Sequence, residues 1–431
     1  MTRLGVFEDA AHTRLAPLTH LRPTFLLWSG IAPAWHRLEV VYGTPVRVIR
    51  CRAALAPVVV REVPAVAERG AHDAEPVLLV NGALLADAAL RDAIPLEGAE
   101  EVVTCAGRVA AARLAPRRLA ALAEEPLPAE IDSPARLAGA LPEPLAALAR
   151  REIAARFVTH PWDLVRENES ILRSDFDLFA SGLEERRLAR AEEIGVDCFV
   201  GRGAEISSKA SLDASVGPIL VGAEARIEPF AFVKGPAFVG AGAIVRAGCR
   251  VEGGSTVGPG CRVGGEIEAS ILLPFVNKQH DGFLGHSVVG SWANLGAGTI
   301  TSDLKNNYGV VRSVVEGRRV ETNLRKLGSV IGDHAKIGIG SLVGAGSVIG
   351  TCAQVAGVAD VIAGWVPSFA WWVGETRAVH EIERAVETAR TVVGRRARRL
   401  EPDEEARLRA LFADESGRRE REAWIAEREA R

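Results

Sequence analysis

A six-residue repeat in the middle of the chain limits the folds that it can adopt. From Val221 to Val263 an aliphatic residue occupies every sixth position, and glycine directly follows four of these residues. The same spacing occurs in another phase from Ile194 to Leu212, and again from Ile331 to Val361. An α-helix repeats every 3.6 residues and a β-strand every 2.0, so neither element alone gives a period of six.

A period of six predicts a parallel β-helix, in which each short strand and its turn take six residues. The aliphatic residue points into a narrow interior, and the small residue beside it permits a tight corner. Three such units make one coil, so residues 194–364 predict about nine coils. The phase lapses in the polar segments 269–284 and 301–330, where we expect loops that carry chemistry. The flat faces of such a prism favour side-by-side association, and we expect a homotrimer.

The flanking sequence predicts other elements. Residues 1–145 are interpreted as a mixed α/β domain with strands at 46–49, 58–63, 76–80 and 102–105. Residues 110–150 resemble a linker with helical pieces, and a helical segment around 146–190 breaks near His160 and Pro161. A helical tail is expected from about residue 375. The predicted division is 1–145, a helical linker at 146–190, the β-helix at 191–370 and a helical tail at 371–431.

Composition excludes several classes of protein. The 431 residues carry 52 basic and 55 acidic side chains and a net charge of −3, which argues against nucleic-acid binding through a basic face. The six cysteines include no Cys-x-x-Cys pair, which disfavours structural zinc and a disulfide framework. No stretch resembles a signal peptide or a transmembrane helix. We therefore expect a cytoplasmic protein with no membrane insertion and no bound metal.

The most specific stretch of sequence lies between residues 277 and 309. His280 precedes a Phe-Leu-Gly corner, and an Asn-x-Gly-Ala-Gly-Thr element begins fourteen residues later at Asn294. This stretch resembles the bifunctional N-acetylglucosamine-1-phosphate uridylyltransferase/glucosamine-1-phosphate N-acetyltransferase family, in which both elements occur at this spacing. Glu266 also falls on an acidic position of the family. Closer still is a divergent branch with Asn-Lys-x-His-Asp-Gly-Phe-Leu-Gly and Leu-Lys-Asn-Asn-Tyr-Gly. That branch also carries Pro17-Leu-Thr-x-x-Arg22-Pro23, Val80-Asn81-Gly82 and Pro367-Ser-Phe369, so the resemblance extends over nearly the whole chain.

The resemblance implies an N-terminal nucleotidyltransferase-like (Rossmann-like) α/β domain followed by a left-handed β-helix that transfers acyl groups from acetyl-CoA. A histidine suits the general base of such a reaction because its pKa lies near neutrality. The predicted catalytic residues are His280, Asn294 and Glu266. The predicted substrate-binding residues are Lys234, Asn277, Lys278, Lys305 and Arg22. The predicted coenzyme A contacts are Gly344, Ala345, Arg395 and Arg396.

For four of these residues the pattern also permits other roles. Asn294 fits a stacked asparagine at a β-helix corner as well as a substrate ligand. Glu266 fits a solvated turn, and the arginines at 395–399 fit a solvated amphipathic helix. The tyrosine that the family places three residues after the histidine is Phe283 here, and the lysine expected two residues after the glutamate is Glu268. Both differences affect recognition of the sugar phosphate, so the acceptor stays open.

The N-terminal domain departs further from the family. Active uridylyltransferases open with Gly-x-Gly-Thr-Arg-Met and Pro-Lys, which cradle phosphates, and neither element occurs here. The metal-binding Gly-Asp is replaced by Asn81-Gly82, and no lysine precedes Lys209. Arg14 and Arg22 could hold an anionic sugar phosphate. Mg²⁺ is expected only if this domain is active, since nucleotidyl transfer depends on metal and cationic charge.

Three functions remain open on the sequence. The first is an N-acyltransferase that acts on an amino-sugar phosphate or a nucleotide sugar. The second is a sugar-1-phosphate nucleotidyltransferase, alone or as part of a bifunctional enzyme. The third is a non-catalytic sugar-nucleotide-binding scaffold. Zinc hydrolysis on a similar prism needs a His-x₄-His pair, and the spacing of His280, His286 and His334 does not supply one.

Overall fold

The computed structural model describes residues 1–66, 75–122, 130–131, 138–139, 141–179, 193–194 and 197–429. Its contacts divide the chain into two compact units. The first unit comprises Met1–Leu15, Leu21–Leu27 and Ala32–Thr159. The second comprises Ala16–His20, Trp28–Ile31 and His160–Arg431. The predicted boundary at 190/191 lies outside the described residues, and the four-part division stays a prediction.

The first unit contains a six-stranded mixed sheet, here called the N-terminal sheet. Its order is Ala149–Glu152, Glu101–Cys105, Arg108–Leu114, Val77–Asn81, Arg3–Phe7, Val46–Arg50. Arg3–Phe7 runs parallel to both neighbours, and Arg108–Leu114 runs antiparallel to both of its own. All residues of these two strands and of Val77–Asn81 are buried. This agrees with the predicted α/β class.

Three predictions for the first unit are wrong. Residues 149–152, predicted as part of a helical segment, form the edge strand Ala149–Glu152. The valine-rich segment 58–63, predicted as a strand, lies mostly in the helix Ala56–Glu62, whose first turn contains a proline and whose Val58 and Val59 pack inward. Residues 110–114, predicted as linker, belong to the buried strand Arg108–Leu114. The small alanine side chains of this strand allow other elements to pack closely against the sheet. The helices of this unit are Ala34–Tyr42, Ala56–Glu62, Ala88–Ala93, Pro116–Ala121 and Glu143–Ala146.

The second unit is a left-handed parallel β-helix, as predicted. The first of its three sheets contains Glu193–Ile194, Ser211–Asp213, Phe232–Lys234, Arg250–Val251, Glu266–Glu268, Phe283–Gly285, Ile300–Thr301 and Leu342–Val343. The second contains Cys198–Val200, Ile219–Val221, Ala237–Val239, Ser255–Val257, Ile271–Leu272, Val288–Val289, Val330–Ile331, Val348–Ile349 and Trp365–Val366. The third contains Glu205–Ile206, Arg226–Ile227, Ile244–Val245, Arg262–Val263, Asn277–Lys278, Asn294–Leu295, Lys336–Ile337, Gln354–Ala356, Ala370–Val373 and Thr376–Val379.

The repeat marks the interior of this β-helix. All eight aliphatic residues at the sixth positions from Val221 to Val263 are at most 1% exposed. The repeat slips by one residue in a late coil, where Val361 is 52% exposed and Ile362 points inward beside Val343. The prediction of an interior Val361 is therefore wrong.

The two lapses of the repeat have different structures. Residues 269–284 remain in the coil, with strands at Ile271–Leu272 and Asn277–Lys278, so the loop predicted there is wrong. Residues 302–329, here called the insertion, do leave the coil and contain the hairpin Arg312–Val315 and Arg318–Glu321. The polar residues of 269–284 lie on the outer face of the coil or at its corners. One of them, described below, lies inside the coil.

Helices flank the β-helix within the second unit. Pro161–Phe179 begins at the predicted break, because proline suits the first turn of a helix. The tail forms Ile382–Gly394, Pro402–Ala413 and Glu415–Glu429 after the strand Thr376–Val379. None of the described helices is long and apolar enough to cross a membrane.

The tight corners of the β-helix can be tested at Gly240. A Cβ added there would lie 2.5 Å from the backbone nitrogen of Pro259 in the next coil, which cannot move without shifting that coil. We expect Gly240→Ala to cost about 1–3 kcal/mol of unfolding free energy, as overpacking does. Gly394→Ala is the control, because a Cβ there meets no atom within 4 Å. Equal stability of the two variants in chemical denaturation would contradict this account.

Candidate functional site

A charged cleft of about 420 Å³ lies on the outer face of the first sheet of the β-helix. It combines two cations, Lys234 and Arg250, with the carboxylates of Glu252, Glu266 and Glu268. The remaining lining residues are Glu169, Val216, Gly235, Pro236 and Gly253. The parallel register creates this cleft, since Arg250 pairs with Glu266 in the neighbouring strand. Lys234 and Glu266, predicted separately from the sequence, thus line one cleft.

The charges of the cleft are partly neutralised by ion pairs. Arg250 Nη2 donates to Glu252 Oε1 at 2.5 Å. Lys326 Nζ, from the insertion, donates to Glu268 Oε1 at 3.1 Å. Sequence reasoning missed Arg250, although it precedes Glu266 by about one coil. The cleft therefore presents both signs of charge to a ligand.

His280 lies at the corner between the third and first sheets, and its side chain is exposed. Its Nε2 is 3.3 Å from Gln279 Nε2. Small residues surround this corner, because Gly264 and Gly265 lie against it in the coil before and the Gly298 amide donates to Asp281 O in the coil after. The imidazole therefore stands at an open edge of the prism.

Apolar side chains are exposed near the same corner. Ile339 is 78% exposed, and the amide of the adjacent Gly340 donates to Ala297 O, which places it two coils beyond the His280 corner. Ile300 and Leu342, paired in the first sheet, are also exposed. An apolar patch of this kind is typical of a surface that another molecule covers.

Asn277 and Asn294 face outward on neighbouring strands of the third sheet. Asn277 Nδ2 donates to Asn294 Oδ1 at 2.8 Å. This bond matches the stacked-asparagine alternative for Asn294, and it leaves the other amide atoms of the pair for a ligand. Asn277 lies three residues before His280, on the strand that enters the same corner.

Two lysines predicted to bind substrate lie elsewhere. Lys278 points into the coil and is 1% exposed, so its assignment as a substrate ligand is wrong. It occupies the interior position that Val263 holds in the previous coil. Lys305 belongs to the insertion, where its Nζ donates to Val310 O at 3.3 Å, and it does not line the cleft.

The predicted coenzyme A contacts are divided between two corners. The amide of Gly344 donates to Ile362 O, and its carbonyl accepts from Ser347, so neither group is left for pantetheine. Ala345 packs in an apolar cluster with Trp162, Val311, Val315 and Leu327. Arg396 Nη1 donates to Gly260 O at 3.0 Å, whereas Arg395 is exposed. Within one chain these residues do not converge on His280.

A histidine–aspartate pair lies at the corner between the first and second sheets. His286 Nδ1 is 2.7 Å from Asp303 Oδ2, and both side chains are largely buried. Burial alone would raise the pKa of Asp303, but the hydrogen bond and positive charge of His286, together with Lys326, hold it below its usual value. Sequence reasoning missed the pair. The length of the coil could have revealed it, because residues 17 positions apart lie in register on neighbouring coils in this part of the β-helix.

In the first unit, polar residues meet at the ends of the central strands. Arg108 donates to both carboxylate oxygens of Asp9 at 2.6 and 3.0 Å, and Asn81 Nδ2 donates to Asp9 at 2.7 Å. Arg52 bonds in the same way to Glu8, whose pKa is raised by burial in spite of that arginine. The carbonyl of Arg22 accepts from Arg52 at 3.1 Å.

This arrangement does not fit Mg²⁺. A divalent ion needs carboxylate oxygens that are free to coordinate it, and both oxygens of Asp9 already bond to a guanidinium. No group of three or more His, Cys, Asp or Glu in the described part of the chain is placed to hold a metal ion.

The internal pairing of Asp9 can be tested by removing its partner. Arg108→Met leaves a buried carboxylate without its cation, and we expect a loss of about 3–5 kcal/mol of unfolding free energy. Arg91→Met is the control, because the Arg91–Asp92 pair is exposed and contributes about 1 kcal/mol or less. Chemical denaturation of both variants measures the difference. An unchanged Arg108→Met would show that Asp9 does not depend on this cation.

Comparisons with known proteins agree with the two-part architecture. Residues 4–184 match the family model of sugar nucleotidyl transferases. The bifunctional sugar-1-phosphate nucleotidylyltransferase/acetyltransferase of Sulfurisphaera tokodaii is 32% identical over 90 residues, covering 21% of this chain and 22% of that protein. The bifunctional protein GlmU of Methanococcus vannielii is 27% identical over 202 residues, covering 45% of this chain and 42% of that protein.

These curated relatives are each matched over less than half of their length. Among solved structures, the Arabidopsis UDP-N-acetylglucosamine acyltransferase is 14% identical, with a TM-score of 0.16 over 47% of this chain and 74% of that chain. At this identity and score the likeness carries no statement about activity. The family-model match and the bifunctional relatives each cover only part of this chain, and they support the resemblance to GlmU-like proteins that its sequence indicates.

Proposed function

We propose that the β-helix transfers an acyl group from acetyl-CoA to the amine of an amino-sugar phosphate or of a nucleotide sugar. The mixed charge of the cleft carries this proposal. Lys234 and Arg250 suit a phosphate, and the carboxylates of Glu252, Glu266 and Glu268 suit a protonated amine. A cleft of about 420 Å³ also accommodates a ligand of this size.

The reaction requires one proton acceptor. The bound ammonium first loses one proton to solvent, because only the free amine is a nucleophile. Its nitrogen then attacks the thioester carbonyl, a C–N bond forms, and the C–S bond breaks as the tetrahedral intermediate collapses. The base takes a proton from the nitrogen, and the departing thiolate takes up a proton to give the free thiol. We assign the base to His280, whose exposed imidazole stands at an open corner.

The acyl donor and the oligomer belong to the same proposal. The exposed side chains of Ile300, Ile339 and Leu342 near the His280 corner support a homotrimer in which a second copy covers this edge. Coenzyme A would lie between the copies, with Arg395 as an available partner for its phosphates. The cytoplasmic location stays a prediction.

His286 is the alternative base, and one observation favours it. Asp303 anchors its Nδ1 at 2.7 Å, which is how a carboxylate orients a catalytic imidazole. The coil also places it beyond Glu268, at one end of the cleft. The two histidines stand at opposite ends of the strand Phe283–Gly285, so each serves a different corner.

Single substitutions separate the two bases. We expect His280→Ala to lower kcat for acetyl transfer to glucosamine 1-phosphate or to a related amino-sugar phosphate by about 10²–10⁴-fold, the usual contribution of a general base. His286→Ala is the matched control and should retain most of kcat. Release of free thiol from acetyl-CoA measures both. The reverse pattern would transfer the role to His286, and wild-type rates in both variants would refute an imidazole base.

The second candidate function is nucleotidyl transfer by the first unit, which the family-model match over residues 4–184 favours. The pairing of Asp9 with Arg108 opposes it, because that carboxylate is not available to a metal ion. We expect no pyrophosphate release from UTP or dTTP with a sugar 1-phosphate, in Mg²⁺ or in Mn²⁺. Turnover that Arg108→Met abolishes would contradict this expectation. Thermal stabilisation by nucleotide sugars without any turnover would favour the scaffold hypothesis.

A further inference from the structure

We propose that Lys278 is a positioning residue for His280, holding the backbone of the catalytic corner from inside the β-helix. This inference rests on the proposed role of His280 as general base. Lys278 Nζ donates to His280 O at 2.6 Å and to Gly264 O at 2.9 Å. One ammonium group thus ties the histidine to the preceding coil.

The position of Lys278 in the repeat makes this role specific. Its strand pairs with Arg262–Val263, and Lys278 stands in register with Val263. In the next coil, Leu295 follows Asn294, which pairs with Asn277. Both neighbours in this interior column are aliphatic and buried, as the repeat requires. A lysine here replaces the buried aliphatic residue that both neighbouring coils place in the column.

A charge at this position has a cost. Burial lowers the pKa of Lys278 to about 8, although the nearby Cys249 and Asp281 act in the opposite direction. An aliphatic residue would fill the same column without that desolvation. The ammonium supplies what an aliphatic side chain cannot, which is two donors to carbonyls at the point where the coil turns toward His280.

Backbone restraint at this point matters because, among the residues that the structure describes, no carboxylate hydrogen-bonds to the His280 ring. Its ring contact is with the amide of Gln279, on the adjacent residue. The flanking Asp281 is exposed, and Gly282 has a φ of +127°, a conformation that other residues rarely adopt. Backbone amides hold the carbonyls of Asp281 and Gly282, and the bond from Lys278 adds a restraint on the carbonyl of His280 itself.

Lys336 provides a matched control. Its Nζ also donates to two carbonyl oxygens, those of Trp292 and His334, at 2.8 and 2.9 Å. Burial lowers its pKa to about 8 as well. It lies at a different corner, so its loss should have a comparable structural effect without removing a hydrogen bond to His280 O.

The experiment compares Lys278→Leu with Lys336→Leu in the full-length protein, and Lys278→Met serves as a second variant that keeps the side-chain length. We expect Lys278→Leu to lower kcat for acetyl transfer to glucosamine 1-phosphate by roughly 10²-fold, as a misplaced catalytic group does. KM for acetyl-CoA should stay within about twofold, because coenzyme A does not touch Lys278. Lys336→Leu should keep kcat within about twofold of wild type.

Amide hydrogen exchange gives a readout that does not depend on activity. We expect exchange at residues 281–283 to accelerate in Lys278→Leu and Lys278→Met but not in Lys336→Leu. Unchanged exchange would overturn the inference, and so would an equal loss of kcat in the Lys278 and Lys336 variants. If both Lys278 variants fail to fold while Lys336→Leu folds, Lys278 is a folding residue and the inference is wrong.

The failure of the inference can be told apart from the failure of the proposed function. Loss of activity in His280→Ala with wild-type kcat in Lys278→Leu refutes the positioning role and leaves the base assignment intact. Wild-type kcat in His280→Ala refutes the base assignment, whatever the Lys278 variants do.

Discussion

The second unit depends on the narrow interior of its β-helix. Each side of each coil contributes one interior side chain, and the next coil stacks directly on it through parallel hydrogen bonds. Aliphatic residues satisfy this geometry because they fill the space without polar atoms that need partners. Close stacking also requires glycine where a strand turns, as at Gly240. Every outward-facing group is placed by this register.

The same register decides which chemical groups can cooperate. Residues about one coil apart stack on one face, as Arg250 and Glu266 do in the cleft and His286 and Asp303 do at their corner. Residues that are close in sequence but on different sides are separated by a whole strand, as His280 and His286 are. For the same reason, the His280 corner and the predicted coenzyme A contacts do not meet within one chain.

The sequence was sufficient to predict the coil and its interior, because the strict six-residue spacing of Val and Ile identifies the interior positions without any knowledge of how the side chains pack. It was insufficient at Val361, where the repeat slips by one residue, and at 58–63, where burial of one face outweighed the strand preference of valine. Lys278 was predicted to bind the sugar phosphate. Its burial could not be foreseen, because lysine is rarely buried and the sequence does not reveal the two carbonyls that accept from it inside the coil. The roles of His280, Asn294 and Glu266 stay predictions.

Stacking has a further consequence for how the protein responds to partial unfolding. In a linear array each coil is stabilised mainly by the coils on either side, so the two ends open first and the middle opens last. The strand Asn277–Lys278 is the fifth of ten in its sheet. The corner at His280 is thus insulated from fraying at both ends, and its geometry can persist while terminal coils exchange with solvent.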